Sequence, residues 1–361
     1  MTEGVKRRSD IEGKDNSSED KGNYKVVRIG DMVYNSMRMW QGANGISAYD
    51  GIVSPAYTVL TPKVEIANGF FGALFKTHRS ISEFCRHSQG MTSDTWNLKY
   101  PQIETIRISM PVFKEQQKIS EFLSKIEIRI EKQLDLVEHL KKYKRGVSKR
   151  FFDEVHNDQT CAVKQFSEVF ELLQNNTFSR ECLTDENTDV LNVHYGDILV
   201  KYGSVVDLDI DTVPFIKTGT DISKFSSSSY LQDGDVIFAD TAEDYTVGKI
   251  CEIINVSNRK ILSGLHTMPF RPTLAFAPMY LGYYLNSAAF RTQILPMIQG
   301  AKVSSISKSE MKKTVMYIPN IEHQKEIVNV LSALDKRIKI TELVLEGLKD
   351  MKQGLLQQLF I

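Results

Sequence analysis

The chain has 361 residues, 42% hydrophobic and 25% charged, which is enough for two or more cores. Lysine plus arginine balance aspartate plus glutamate at 45 each, so bulk charge singles out no partner. Cys85, Cys161, Cys182 and Cys251 lack C-x-x-C spacing, and neither a leader pattern nor a run of about 18 apolar residues occurs, which reads as a cytoplasmic protein with reduced thiols.

In chain order, residues 1–22 are polar and of mixed charge, the composition of a disordered tail. Residues 23–110 form a first β-rich module ending in a predicted strand, Thr105 to Ser109. Residues 111–153 follow as a long helix. Its apolar positions Ile119, Leu123, Ile126, Ile130, Val137, Leu140, Val147 and Phe151 step by three, four or seven, the seam of a coiled coil. A second module occupies residues 160–318. Short Val-, Ile- and Tyr-rich runs there predict strands at Asp197 to Tyr202, Ser204 to Leu208, Val213 to Lys217, Val236 to Ala239, Ile250 to Ile254 and Thr314 to Ile318. A helix is predicted over Pro278 to Leu295. Residues 319–361 close the chain with a second long helix, its seam at Ile327, Leu331, Leu334, Ile338, Leu345, Leu348, Leu355 and Leu359.

The two long segments are copies. Pro111 to Phe152 align on Pro319 to Phe360 at a constant offset of 208, with Pro111/Pro319, Gln116/Gln324, Leu123/Leu331, Arg129/Arg337, Lys144/Lys352 and Gly146/Gly354 identical. The seam is interrupted at equivalent places, by Gln133 and Thr341 and by Lys144 and Lys352; polar residues there fix register at a cost in stability. The duplication continues into the modules: Gly30-Asp31-Met32-Val33-Tyr34 recurs as Gly234-Asp235-Val236-Ile237-Phe238, and Gln89-Gly90 as Gln299-Gly300. A period this long is one large module used twice, not a solenoid. The expected fold is α+β, with two β-rich domains separated by two long helices. Matched lengths and equivalent seams favour antiparallel pairing of the helices about a pseudo-twofold axis, each rod about 50 Å long for about 33 residues. The copies are unequal: only Tyr24 to Ile29 precede Gly30, whereas about 80 residues separate the first rod from Gly234. The first module reads as truncated at its start.

A β-rich module, a helix opening with Pro-x-x-x-x-Gln and ending in Lys-x-Gly and a phenylalanine, then the same again, resembles the specificity subunit of type I restriction-modification systems. The resemblance covers residues from about 24 to 361, and its most specific parts are the rods, the Gly-Asp-Val-Ile-Phe-Ala-Asp run at 234 to 240 and the Gln-Gly loops. It implies that the modules are target recognition domains, the first incomplete, each reading half of a split site in double-stranded DNA. The long helices would set the spacing and hold two methyltransferase subunits, with a restriction and translocation subunit joining for cleavage. S-adenosylmethionine, ATP and Mg would belong to those partners, with no cofactor or metal in this chain.

A base reader needs polar and basic side chains on loops. The candidates are Asn35, Arg38, Gln41, Asn44, Gln89, Thr92, Ser93, Asp94 and Asn97 in the first module. In the second they are Tyr202, Lys217, Thr218, Thr220, Thr241, Glu243, Asp244, Thr246, Lys249, Gln299, Lys302, Ser304 and Ser305. Residues 162–318 carry 14 basic and 18 acidic residues, so phosphate neutralisation falls largely to the partners and the chain alone binds DNA weakly. Catalysis has no footing: there is no Pro-Pro pair for a flipped-base loop and no Gly-x-x-x-x-Gly-Lys-Ser/Thr phosphate cradle. His194 and His266, and the acids Asp240, Glu243 and Asp244, are read as structural or DNA-facing rather than catalytic or metal-binding. A second class of function is an assembly protein: a truncated or silent specificity chain that occupies methyltransferase subunits, or donates its second module by recombination, without reading a complete site.

Overall fold

A computed structural model describes residues 4–11, 13, 17, 19–244, 246–300 and 303–360. They divide into two compact units: Met1–Val137 with Ile340–Ile361, and Glu138–Lys339. Each unit holds one globular part and a stretch of each long helix. No helix among the described residues is long and apolar enough to cross a membrane.

In the second unit the strand Val236–Ala239 lies between Ile250–Ile254 and Thr267–Pro272, and the sheet is completed by Val205–Asp207 and Phe170–Leu172. Its central strands are buried on both faces. One face meets a four-stranded sheet (Lys260–Ser263, Val190–Val193, Phe215–Ile216, Leu183–Thr184) through Leu191, Val193, Ile198, Ile237, Cys251 and Ile261. The other packs Phe238 and Phe270 against Phe166, Tyr280, Tyr284 and Phe290, and onto Phe152, Val155, Ile327 and Leu331 of the long helices. Fully burying each such side chain stabilises by roughly 1.5–3 kcal/mol.

Among the described residues the first unit repeats the middle of this plan without its flanks. Met32–Asn35 pairs with Asn44–Ile46 and Tyr57–Leu60, and a separate ladder joins Lys25–Val27 to Gly51–Val53. Tyr34, Met39, Phe70, Phe71, Phe75, Phe84 and Leu98 form its core, with Ile119 and Phe360 of the long helices packed against them. Ile119 and Phe360 are the copies of Ile327 and Phe152. Among the described residues before Gly22 the one regular element is a turn at Arg8–Asp10, and Arg7 lies 4.6 Å over the Tyr49 ring.

The long helices span Phe113–Asn157 and Ile321–Leu359. Leu123, Ile126, Val137, Ile327, Leu331, Ile338, Leu345 and Leu348 of the expected seam are buried, and Ile119, Ile130, Leu140, Leu334, Leu355 and Leu359 half-buried. The polar interruptions bond across it. In the first unit Gln133 Nε2 donates to the Thr341 carbonyl at 2.9 Å and Lys352 Nζ to Glu127 at 2.7 Å, an antiparallel register. In the second unit Lys144 Nζ meets Asp335. Lys144 and Lys352 are copies of one another, as are Glu127 and Asp335, so the same ion pair is made twice.

Three elements differ from the sequence-based expectation. Asp197 to Tyr202 lies in a helix, Tyr195–Val200, rather than a strand: the His194 side chain caps its start, and Asp197 in the first turn takes both arms of Arg180. Pro278 to Leu295 breaks into Tyr280–Leu285 and Ala288–Ile294, because Asn286 turns to bond the Ile250 backbone and Ser287 caps the next helix. Thr105 to Ser109 is irregular. Its counterpart Val315–Ile318 is held by Ala162–Gln165, and no strand among the described residues takes that place in the first unit.

Candidate nucleic-acid interface

In the first unit the two candidate loops meet. Met32–Asn35 ends in a turn in which Asn35 Oδ1 accepts the Met37 N–H, and the chain returns through Met39–Gln41. The second loop is pinched shut by paired backbone bonds between Gln89 and Asn97. Leu98 N–H donates to the Ser36 carbonyl at 2.8 Å, and Trp40 and Trp96 touch edge to face at 5.2 Å. Gln41, Gln89, Thr92 and Asp94 are exposed, and Asn35, Arg38 and Asn97 half-buried. Thr92 and Thr95 close the second loop with a capping box. Asn44 faces inward, its amide bonded to the Gly42 and Phe75 carbonyls, and leaves the candidate set.

The second unit joins its loops the same way: Thr241 and Ala242 pair with Ser305 and Ser304, and Gln299 bridges to Ser305. Gly300 stands at φ 111°, and a Cβ there would lie 2.0 Å from the Val303 carbonyl oxygen, so glycine is required for the tight return. Gln299, Ser305, Glu243 and Thr246 are exposed, and Thr241 and Ser304 half-buried. Lys302 lies outside the described residues. Asp244 accepts the Thr246 N–H and hydroxyl, which hold its carboxyl below the usual range. Lys217, Thr218 and Thr220 belong elsewhere, following the four-stranded sheet, with Lys217 N–H bonded to the Cys182 carbonyl. Two candidates are structural. Tyr202 is buried, its hydroxyl on the Thr212 carbonyl and its phenol pushed above the ordinary range by burial. Lys249 Nζ donates to the Leu199 and Tyr202 carbonyls, and burial lowers its pKa.

One duplicated motif fastens each globular part to its rod, and the other braces the globular part internally. Gln324 is buried: its Nε2 donates to the Pro319 carbonyl at 2.9 Å, and its Oε1 accepts the Ala277 N–H at 2.9 Å. Gln116 does the same with Pro111 and Ala67. In the Gly-Asp motif, Asp235 accepts the Gln232 N–H and both arms of Arg271, while Asp31 accepts the Arg28 N–H and the Thr61 hydroxyl. Both motifs are therefore brackets.

Sequence reasoning passed over the surroundings of His266. This non-glycine residue holds φ 52°, its carbonyl accepts the Asp240 N–H, its Nδ1 lies 3.5 Å from Asp240 Oδ1, and Tyr195 meets its ring at 5.3 Å. Strain of this kind collects at functional positions. His194 sits behind Tyr195 and is biased towards its neutral form by burial and by Arg180. Among the described residues no three or more His, Cys, Asp or Glu side chains gather as a metal site.

Beside the seam of each rod, exposed apolar residues recur at copied positions: Phe122, Leu136 and Tyr143 on the first and Val330, Val344 and Met351 on the second. The steps of 14 and 7 place each set along one stripe, with Arg129 and Arg337 filling the remaining heptad position.

A family model described as the type I restriction modification DNA specificity domain matches residues 16–138 and again 159–350, most of the chain. The chain belongs to that family. In type I systems the specificity subunit is non-catalytic. Among solved structures, the S subunit of a type I restriction-modification system from M. genitalium matches with a TM-score of 0.55 and 14% identity, over 93% of this chain and 84% of that one. A chain from work on complex assembly and conformational transition of the type I R-M system matches at 0.55 and 15%, over 93% and 83%. At such identities the likeness is one of fold. No curated protein matches the chain.

Proposed function

We propose that this chain is the DNA sequence-recognition subunit of a type I restriction-modification complex, reading a bipartite site and scaffolding methyltransferase and restriction subunits. The observation that carries the reading is the repeated bracket: in each unit a buried glutamine at the start of a rod bonds the globular part, and that part presents two joined polar loops. A reader held this way loses little freedom on binding, because paired backbone fixes where its loops leave the globular part. The copied exposed stripes support two equivalent docking surfaces, one for each methyltransferase subunit. Those partners would bring S-adenosylmethionine, and the restriction subunit ATP and Mg.

A second reading is a chain that assembles with methyltransferase subunits without reading a complete site; its support is that the described residues of the first unit form no counterpart of the second unit's four-stranded sheet. Co-expression with cognate methyltransferase subunits in a methylation-free host, followed by methylome sequencing and native mass measurement, separates the two. A methylated split motif is expected; assembly with no motif would reject DNA reading in favour of the second.

A further inference from the structure

Between the two loops of the first unit and the strand Tyr57–Leu60 runs a groove of about 380 Å³. Its walls include Lys25, Ser36, Thr58, Asn97, Lys99 and Tyr100, and no carboxylate lines it. Lys25 and Lys99 are exposed and both line it, Lys25 reaching the Tyr57 carbonyl. Ser36 and Thr58 share a 2.9 Å hydroxyl contact. The Asn97 side-chain oxygen is enclosed and has no hydrogen-bond partner. Leaving such an acceptor unmet costs about 1–3 kcal/mol, a deficit that a donor on a ligand would remove. Tyr24 to Met110 carry 9 lysines and arginines against 6 acids, the reverse of the second module.

We infer that this groove is where the first unit seats a DNA strand, with Lys25 and Lys99 against backbone phosphates and the Asn97 oxygen taking an amino proton from a base edge. Two lysines on a groove with no carboxylate match a phosphate run. An asparagine oxygen suits the exocyclic amino group of adenine, and equally that of cytosine. The inference deepens the DNA-reading proposal and rests on it. It also assigns this unit a phosphate contact of its own, so a head without the second sheet can still hold DNA.

The chain's two tryptophans, Trp40 and Trp96, both stand in these loops, so tryptophan emission reports this head alone. The full chain is titrated at low salt with a mixed-sequence 30-base-pair duplex, following tryptophan emission and the anisotropy of labelled DNA across a salt series. Lys25→Gln and Lys99→Gln are each expected to reduce the slope of log affinity on log salt by about 0.9, with unchanged melting temperature. Asn97→Ala is expected to weaken binding about 3- to 10-fold at an unchanged slope, the loss of one uncharged hydrogen bond. If the wild type binds and both lysine variants keep its slope, the groove is not the seat, while DNA reading through other loops stands. If the wild-type chain binds no duplex at any salt, the groove is no phosphate seat of its own and the inference falls, while reading by the assembled complex is decided by the methylome experiment above.

Discussion

Gln324 compresses the logic of the molecule into one side chain. Its amide satisfies a carbonyl at the start of a rod and an N–H at the edge of the globular core, both of which would otherwise be poorly hydrated. Gln324→Ala is expected to cost about 2–3 kcal/mol by urea unfolding, since buried partners are left unmet. Gln324→Glu recovers the acceptor alone and should fall between. Glu252 is the other decisive residue. It is buried, its oxygens accept the Met279 and Gly282 N–H groups, and burial pushes its carboxyl up to about 7 from the ordinary 4.5. Because the folded pKa is the higher one, the folded state binds more protons between those values. Stability is therefore fully present below about pH 4.5 and is lost as pH rises through about 7, by on the order of 3 kcal/mol. Melting temperatures from pH 5 to 8 should fall for the wild type and run flat for Glu252→Gln; parallel curves would reject the assignment. Neither role is readable from sequence alone: the glutamine stood out as a repeated letter, and Glu252 sits unmarked inside an apolar strand.

At the scale of elements, the strands Val236–Ala239 and Ile250–Ile254 were legible to the residue because β-branched and aromatic runs end at Gly, Asp or Asn, which suits turns. Tyr195–Val200 was misread for the same reason: Ile, Leu and Val favour a strand locally, and the helix exists through the His194 cap and the Arg180–Asp197 pair, which are tertiary facts. The rods were legible through periodicity, and even their polar interruptions were, although what each would touch was not. Lys144 bonds Asp335, which also accepts the Tyr283 hydroxyl at 2.8 Å. Both side chains of the ion pair are partly exposed, so screening limits the coupling to about 1 kcal/mol. Asp335→Lys should destabilise, and Lys144→Asp in the same chain should recover about that much in a double-mutant cycle. Additive losses would mean the pair contributes nothing to register.

On the scale of the whole molecule, duplication is what the sequence displays best, since copied positions repay comparison even at low identity. The candidate site was half legible. Polar runs marked the candidate loops, burial removes Asn44, Tyr202 and Lys249 from them, and neither the His266 cluster nor the groove at Lys25 and Lys99 had a local signature, because each is assembled from distant segments. The proposed function adds a prediction that only the intact chain can test. If the rods set the distance between half-sites, removing one heptad from each at copied positions keeps the seam in phase and shortens each by about 10.5 Å. That is about three base pairs at 3.4 Å each. Methylome sequencing of a host carrying the shortened chain is expected to show both half-sites unchanged and the gap reduced by about three. Replacing residues 162–318 with those of another specificity chain should instead alter one half-site and leave the gap alone. A shortened chain whose half-site sequences change, or whose gap stays the same, would mean that spacing is set by the heads or by the partner subunits, and the rods would then be docking surfaces only.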